Sequence, residues 1–271
     1  MSGEIYEALR ASLMAGEPVV LAEVTRVADG VAATALAAKL LVRGGHATLG
    51  TLGEPELDRV VARDAAATLE QGLSTTRHYG PHGEARQEDV EIFFEAFIAP
   101  ARLIIFGAVD FTRALVEVGK VMGFTVVVCD ARPVFATAIR FPRADEIVVD
   151  WPDRYLARVG PTLGERDAVC VLTHDTKFDV PAILGALATK VGYIGAMGSR
   201  RTHEKRWQRL VEAGASKEEL AARVMSPIGL DLGARTPEET AIAIGAEIIA
   251  VRSGRATGAL TPLRDSSGPI H

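Results

Sequence analysis

Hydrophobic positions along this chain follow two rhythms, short unbroken runs and helical repeats, and their order predicts the elements. Ile5, Leu9 and Leu13 fall on one face of a helix over residues 3 to 15, stopped by Gly16. Strands follow at Val19 to Thr25 and Lys39 to Val42, with the featureless DGVAATALAA between them, and at His46 to Leu49 after the Gly44-Gly45 turn. A helical pattern occupies Glu54 to Leu73. Ser74 to Glu91 is polar and carries Gly80, Pro81 and Gly83, which predicts a hairpin or loop. The run EIFFEAFI, Glu91 to Ile98, reads as a strand, and Pro100 marks a boundary.

The second half is organised around LIIFGAVDFTRALVEVGKVMGFTVVVCD, Leu103 to Asp130. An apolar run ends at Gly107, helical spacing follows at Phe111, Leu115, Val118 and Met122, and a β-branched run from Thr125 to Val128 stops at Asp130. Strand, glycine turn, helix and strand make the first half of a dinucleotide-binding unit. In that unit the helix start faces phosphate, and the acid closing the second strand reaches ribose hydroxyls. Asp130 lies at the required distance, roughly 20 residues past the turn. The glycine fingerprint is broken, because Val109 and Thr112 stand where glycine, and glycine or alanine, are wanted. A valine side chain fills the space that lets backbone approach a pyrophosphate, so a phosphate would have to sit further out.

Strands and helices then alternate. Ala144 to Asp150 reads as a strand, Pro152 to Val159 as a helix, and Ala168 to Thr173 as the most apolar strand, ending in His174-Asp175. The next helix has Asp179 as its expected cap and Pro181 in its first turn. Val191 to Ile194 is a strand, and Gly198 opens a basic helix reaching Ala213. Ser216 with Glu219, and Thr236 with Glu239, form capping boxes; the last helix spans Pro237 to Arg252, before a loose tail beyond Gly254. The expected fold is α/β, a Rossmann-like parallel sheet over residues 100–271 with a smaller α+β domain over 1–99. Ligands of such sheets bind beyond the carboxyl ends of the strands, where the strand order reverses. Gly107 and His174-Asp175 flank that point.

Composition narrows the classes. With 271 residues, 48% hydrophobic and 24% charged, the chain can bury a full core. A net charge of -5 argues against a nucleic-acid surface, and no run approaches the length of a membrane span. The two cysteines, Cys129 and Cys170, lie in or beside apolar strands, which suits a reducing cytoplasm rather than a disulfide framework. No zinc-type Cys/His spacing, no G-x-S-x-G turn and no nucleophile beside a base stands out.

The candidate ligand residues cluster at strand ends. Asp130 and Arg132 follow the second strand, where the alternative is a solvated strand end. His174 and Asp175 draw their interest from the crevice, the alternative being a capped loop. Gly198, Ser199, Arg200 and Arg201 bring backbone amides and two guanidinium groups to one helix start, suited to phosphate. The alternative is a basic surface helix, since Lys205, Arg206 and Arg209 continue the charge. Asp231 and Arg235 lie in the irregular PIGLDLGAR before the last helix.

Taken together, CDARPVFA, RFPRAD, VLTHD, YIGAMGSRR and PIGLDLGARTPEETA resemble the XdhC/CoxI family in content and order. The resemblance implies an accessory protein that binds molybdenum cofactor, a molybdopterin, and helps deliver it to an apo-molybdoenzyme of xanthine dehydrogenase or carbon monoxide dehydrogenase type. By that reading Gly107, Asp130, Arg132, His174, Asp175, Gly198, Ser199, Arg200, Arg201, Asp231 and Arg235 line the cofactor crevice. A cysteine desulfurase is a further partner that the family implies, and a homodimer is the commonest default. The family's first turn reads like GAGHVA, against GAVDFT here. Its N-terminal glycine-glycine-cysteine followed by glutamate is replaced by GTLGEPELD, placing Glu56 at the cysteine and Asp58 at the glutamate. A carboxylate is a hard ligand and cannot replace a soft thiolate. Two other readings stay open: an NAD(P)-dependent oxidoreductase using the same crevice, and a degenerate scaffold that binds only proteins.

Overall fold

The computed structural model describes residues 3–31, 34–44, 47–173 and 175–254, without the side chains of residues 70, 71 and 200. His46, His174 and the tail after Gly254 lie outside the described residues. The chain divides into two compact units, Met1–Pro100 and Ala101–His271.

In the first unit, α1 (Gly3–Ala15), β1 (Val19–Val27), β2 (Lys39–Arg43), β3 (Thr48–Thr51), α2 (Pro55–Gln71), β4 (Thr75–Tyr79) and β5 (Val90–Phe97) follow in order. The strands form an antiparallel sheet in the order β3-β2-β1-β5-β4. Side chains of the central strand alternate between two cores. Val19 and Leu21 meet Ile5 and Leu9 of α1, while Val20, Ala22 and Val24 meet Leu57, Val61 and Ala65 of α2. Both faces are covered, which explains why β1 begins as an unbroken apolar run. The polar stretch expected as a hairpin or loop is a hairpin, with β4 paired antiparallel to β5. Its buried Tyr79 donates a hydrogen bond to Asp64 on α2, at 2.9 Å.

The second unit carries β6 (Arg102–Phe106), α3 (Asp110–Val121), β7 (Thr125–Cys129), β8 (Glu146–Val148), α4 (Pro152–Val159), β9 (Ala168–Val171) and α5 (Thr176–Leu187). It continues through β10 (Tyr193–Ala196), α6 (Arg200–Glu212), α7 (Lys217–Arg223), β11 (Val224–Met225) and α8 (Pro237–Arg252). Its six strands are all parallel, in the order β11-β10-β9-β6-β7-β8, so the order reverses between β6 and β9. Alternate residues again serve two layers. Leu103, Ile105, Val126 and Val128 pack with α3 and α8; Ile104, Phe106, Val127 and Cys129 pack with α4 and α5. Cys129 and Cys170 are buried on opposite faces as free thiols, and burial pushes Cys129 up to about 12.

One capping expectation is corrected. Asp175, not Asp179, caps α5, its carboxylate accepting from the Lys177 amide at 3.1 Å. Pro181 consequently lies inside α5 rather than in its first turn. Asp179 is drawn inward because a distant arginine pairs with it.

Candidate functional site

The carboxyl edge of the parallel sheet gathers the turns that follow β6, β7, β9 and β10. Gly107 holds φ 111°, and a Cβ there would stand 2.6 Å from Thr173 Cγ2, so only glycine fits the turn against the end of β9. The three successive amides of this turn all face inward. Gly107 donates to the Cys129 carbonyl (2.9 Å), Ala108 to Asp130 Oδ2 (2.8 Å) and Val109 to Thr112 Oγ1 (3.3 Å). The buried Thr112 hydroxyl in turn donates to the Gly107 carbonyl at 2.5 Å. Thr112, a departure from the glycine fingerprint, thus locks the turn that a dinucleotide would need open. Asp110 follows directly, its carboxylate almost fully in solvent at the start of α3.

Asp130 is the hub of this corner. Only 4% exposed, it accepts from the Ala108 amide through Oδ2 and from the Arg132 amide through Oδ1. The Arg132 guanidinium adds a bidentate pair, Nε to Oδ1 at 2.9 Å and Nη2 to Oδ2 at 2.8 Å. Both oxygens are therefore engaged within the protein, each accepting two hydrogen bonds. Burial alone would raise its pKa, but the Arg132 guanidinium and the amides of Ala108 and Arg132 outweigh burial and hold it below the usual carboxylate range.

Arg132 is half exposed and lies over two aromatic rings, with Cζ 4.5 Å from the Phe135 centroid and 5.9 Å from that of Phe178. Trp151, beyond β8, meets Phe178 with centroids 4.9 Å apart, and Lys177 Nζ lies 4.9 Å from the same ring. Lys177 also pairs with Asp175 at 3.2 Å. The amide of Lys177 first, and its ammonium after it, hold the Asp175 carboxyl below its usual range. Arg140 donates from Nη1 to the carbonyls of Ala108 (2.9 Å) and Phe135 (3.3 Å), with its Cζ 5.6 Å from the Phe135 centroid. The corner is a basic and aromatic rim around a closed turn.

Beyond β9 the edge is held by an ion pair that local sequence hides. Asp179 accepts from the Thr173 hydroxyl and from Arg206 Nε (3.2 Å) and Nη2 (2.8 Å), both partners being about 98% buried or more. Arg206 also donates to the Met197 carbonyl at 2.7 Å and to Ser226 Oγ at 3.5 Å. With Asp179 it therefore ties the ends of β9, β10 and β11 together and is not part of a basic surface. Gly198 holds φ 151°, and Ser199 caps α6 by accepting from the Thr202 amide at 3.2 Å. The Arg201 side chain is exposed and makes no ion pair among the described residues.

The loop before α8 crosses the end of β10, where Ile228 donates to the Ala196 carbonyl. It is anchored by Glu247, which accepts from Tyr193 Oη (2.6 Å) and from the Gly229 amide (2.8 Å). Asp231 and Arg235 are exposed, and the Arg235 amide donates to Glu239 at 2.6 Å. The structure therefore joins Gly107, Asp130, Arg132 and Asp175 at one corner and sets Gly198, Ser199 and Arg201 at the end of β10, the strand next to β9 on the same edge. Sequence reasoning missed Arg140, Trp151, Phe178, Asp179, Arg206 and Glu247. Only Arg140 carried a signal, through the motif RFPRAD. Among the described residues no group of three or more His, Cys, Asp or Glu could hold a metal, and no helix is long and apolar enough to cross a membrane.

In the first unit, Glu56 is exposed in the first turn of α2 and pairs with Arg59 at 2.8 Å. Asp58 is fully used by its own chain, accepting from Thr51 Oγ1 (2.6 Å) and the Leu52 amide (2.7 Å).

Known proteins share this architecture. A crystal structure described as a xanthine dehydrogenase from Bacillus halodurans aligns over 94% of this chain and 98% of that one, with a TM-score of 0.52 and 22% identity, which shows a common fold. A probable xanthine dehydrogenase subunit of Bacillus subtilis is 30% identical over 66% of this chain and 56% of its own length. The molybdenum cofactor insertion chaperone PaoD of Escherichia coli is 35% identical over 37% of this chain and 31% of its own. The chain thus spans little more than half of these curated relatives, or less. Residues 12–80 match the XdhC and CoxI family, and residues 103–248 match the XdhC Rossmann domain. With the second match covering most of the parallel sheet and its crevice edge, the chain belongs to the XdhC/CoxI family.

Proposed function

We propose that this protein binds molybdenum cofactor and assists its insertion into a molybdoenzyme of xanthine dehydrogenase or carbon monoxide dehydrogenase type, without turnover of its own. The observation that carries this over an NAD(P)-dependent oxidoreductase is the closed β6–α3 turn. A dinucleotide needs amides directed outward at the pyrophosphate and a free acid for the ribose. Here the amides of Gly107, Ala108 and Val109 and both oxygens of Asp130 are already engaged. The similarity to a protein named as a molybdenum cofactor insertion chaperone supports the same reading.

The residues present suit such a ligand. When bound, the cofactor supplies the molybdenum and the pterin sulfurs that hold it, so the chain must hold the organic part. Trp151, partly exposed and backed by the buried Phe178 ring, offers aromatic surface, while Arg132, Lys177 and Arg201 offer cationic donors for phosphate and pterin oxygens. Arg200 and His174 join the proposed crevice by their place in the sequence, as do Asp231 and Arg235. Glu56, a hard surface carboxylate already paired with Arg59, gives no soft ligand for sulfur transfer.

The test is pterin carried through purification. Protein expressed in a host that makes the cofactor should retain close to one equivalent of pterin, measured by fluorescence after oxidation. The Arg200→Ala/Arg201→Ala variant should lose it while remaining folded. No pterin after purification, and none after adding cofactor, would overturn the proposal. A thermal shift with NAD or NADP, which at a hundred times the dissociation constant adds about 2.7 kcal/mol, would return the oxidoreductase.

A further inference from the structure

We infer that Arg132 and Arg140 form an anion subsite just outside the β6–α3 turn, which takes a terminal phosphate and rejects a bridging pyrophosphate. The inference deepens the cofactor reading, on which its pterin arm rests, by naming the monophosphate form of the ligand rather than a dinucleotide form.

Both guanidinium groups are fixed before any ligand arrives. Arg132 is clamped by Asp130 in a bidentate pair, and Arg140 by the carbonyls of Ala108 and Phe135. Both lie over the same half-exposed ring, their Cζ atoms 4.5 Å and 5.6 Å from the Phe135 centroid. Each retains donors. Arg132 Nη1 makes no hydrogen bond among the described residues, and Arg140 Nη2 meets only the exposed Asp110 carboxylate, at 3.7 Å. Side chains already held in place lose little rotamer freedom on binding, and planar guanidinium donors suit the three oxygens of a terminal phosphate.

The same corner disfavours a pyrophosphate. Two bridged phosphoryl groups need a run of outward amides, and those of Gly107, Ala108 and Val109 are all turned inward. The first-turn amides of α3 begin at Asp110, whose own carboxylate repels a second phosphoryl group. With the amides of Gly107, Ala108 and Val109 engaged, the anion at this corner is met by the two guanidinium groups.

The probes are the fluorescent oxidised pterin bearing its phosphate and the same pterin after phosphatase treatment, titrated against the full chain. Wild type should bind the phosphorylated form roughly tenfold tighter or more. Arg140→Ala should abolish that preference and leave affinity for the dephosphorylated form unchanged. Asp110→Asn, a change at a solvent-exposed side chain, should tighten binding of the phosphorylated form alone. Equal affinity of wild type for the two pterins would overturn the subsite, as would an equal loss for both in Arg140→Ala. Stronger competition by inorganic pyrophosphate than by inorganic phosphate would overturn the selectivity. If wild type binds neither pterin, the cofactor reading fails and inorganic phosphate decides alone. A thermal shift with phosphate that disappears in Arg140→Ala keeps the subsite, and no shift in wild type overturns it.

Discussion

Two aspartate–arginine pairs sit on the same edge of one sheet and do opposite work. Asp179 and Arg206 are both sealed from solvent, and the pair binds the ends of β9, β10 and β11, Asp179 through Thr173 and Arg206 through Met197 and Ser226. Asp130 is nearly as buried, but its partner Arg132 keeps 43% of its side chain exposed over the Phe135 ring. The chemistry of the two pairs is the same and their geometry is similar. Burial of the arginine decides the outcome: the enclosed pair can only hold structure, whereas the half-open pair fixes one end and offers the other.

The comparison breaks most sharply at the enclosed pair. Arg206→Ala leaves a buried carboxylate without its counter-charge and should lower unfolding stability by about 3–5 kcal/mol in a urea titration. Arg206→Met combined with Asp179→Leu should recover most of that loss, because two apolar side chains leave no stranded charge. Gly107→Ala strikes between the two pairs. Its Cβ would meet Thr173 at a position of positive φ, and a loss of about 1–3 kcal/mol is expected by the same titration.

Arg132→Ala should show the smallest effect, about 1 kcal/mol at pH 7, since its guanidinium is partly screened by water. Its pH dependence identifies the cause. The folded pKa of Asp130 is lowered, so the stabilisation is present above the unfolded value of about 3.9 and is lost as pH falls through the folded value. The gap between wild type and Arg132→Ala should therefore begin to narrow as pH falls below about 4 and close only below the lowered folded value of Asp130. A gap that stays constant across that range would mean that Arg132 acts through packing on Phe135 and not through Asp130.

Helix ends are legible wherever a local cap decides them. Thr236, Pro237 and Glu239 mark the start of α8, and all of their predicted cap bonds are present. Of the box expected at α7 only one half is present among the described residues: Ser216 accepts from the Glu219 amide, while the Glu219 carboxylate accepts from Arg223. Strand ends are less legible, because a strand stops where its neighbour stops: the apolar run from Ala144 to Asp150 yields only the three residues of β8, paired with β7. At the site, the spacing from Gly107 to Asp130 locates the corner but not the partners of its carboxylate. Asp179 resembles a cap because it stands two residues before a proline near a helix start, and Arg206 resembles surface because its neighbours in sequence are charged. Nothing local separates Arg206 from Lys205 or Arg209.

The order of strands and helices, the α/β class and the edge where candidate residues collect were all written in hydrophobic period and in turn and cap residues. Those signals act over a few positions along one chain segment. Which charges are buried, and whether the turn's amides face a ligand or the protein, depended on tertiary structure. Those outcomes rest on partners far away in sequence: Asp130 on the Ala108 amide, Asp179 on Arg206, and Glu247 on Tyr193 and Gly229. A hydrogen bond takes whichever donor folding brings within reach, and periodicity carries no record of that choice.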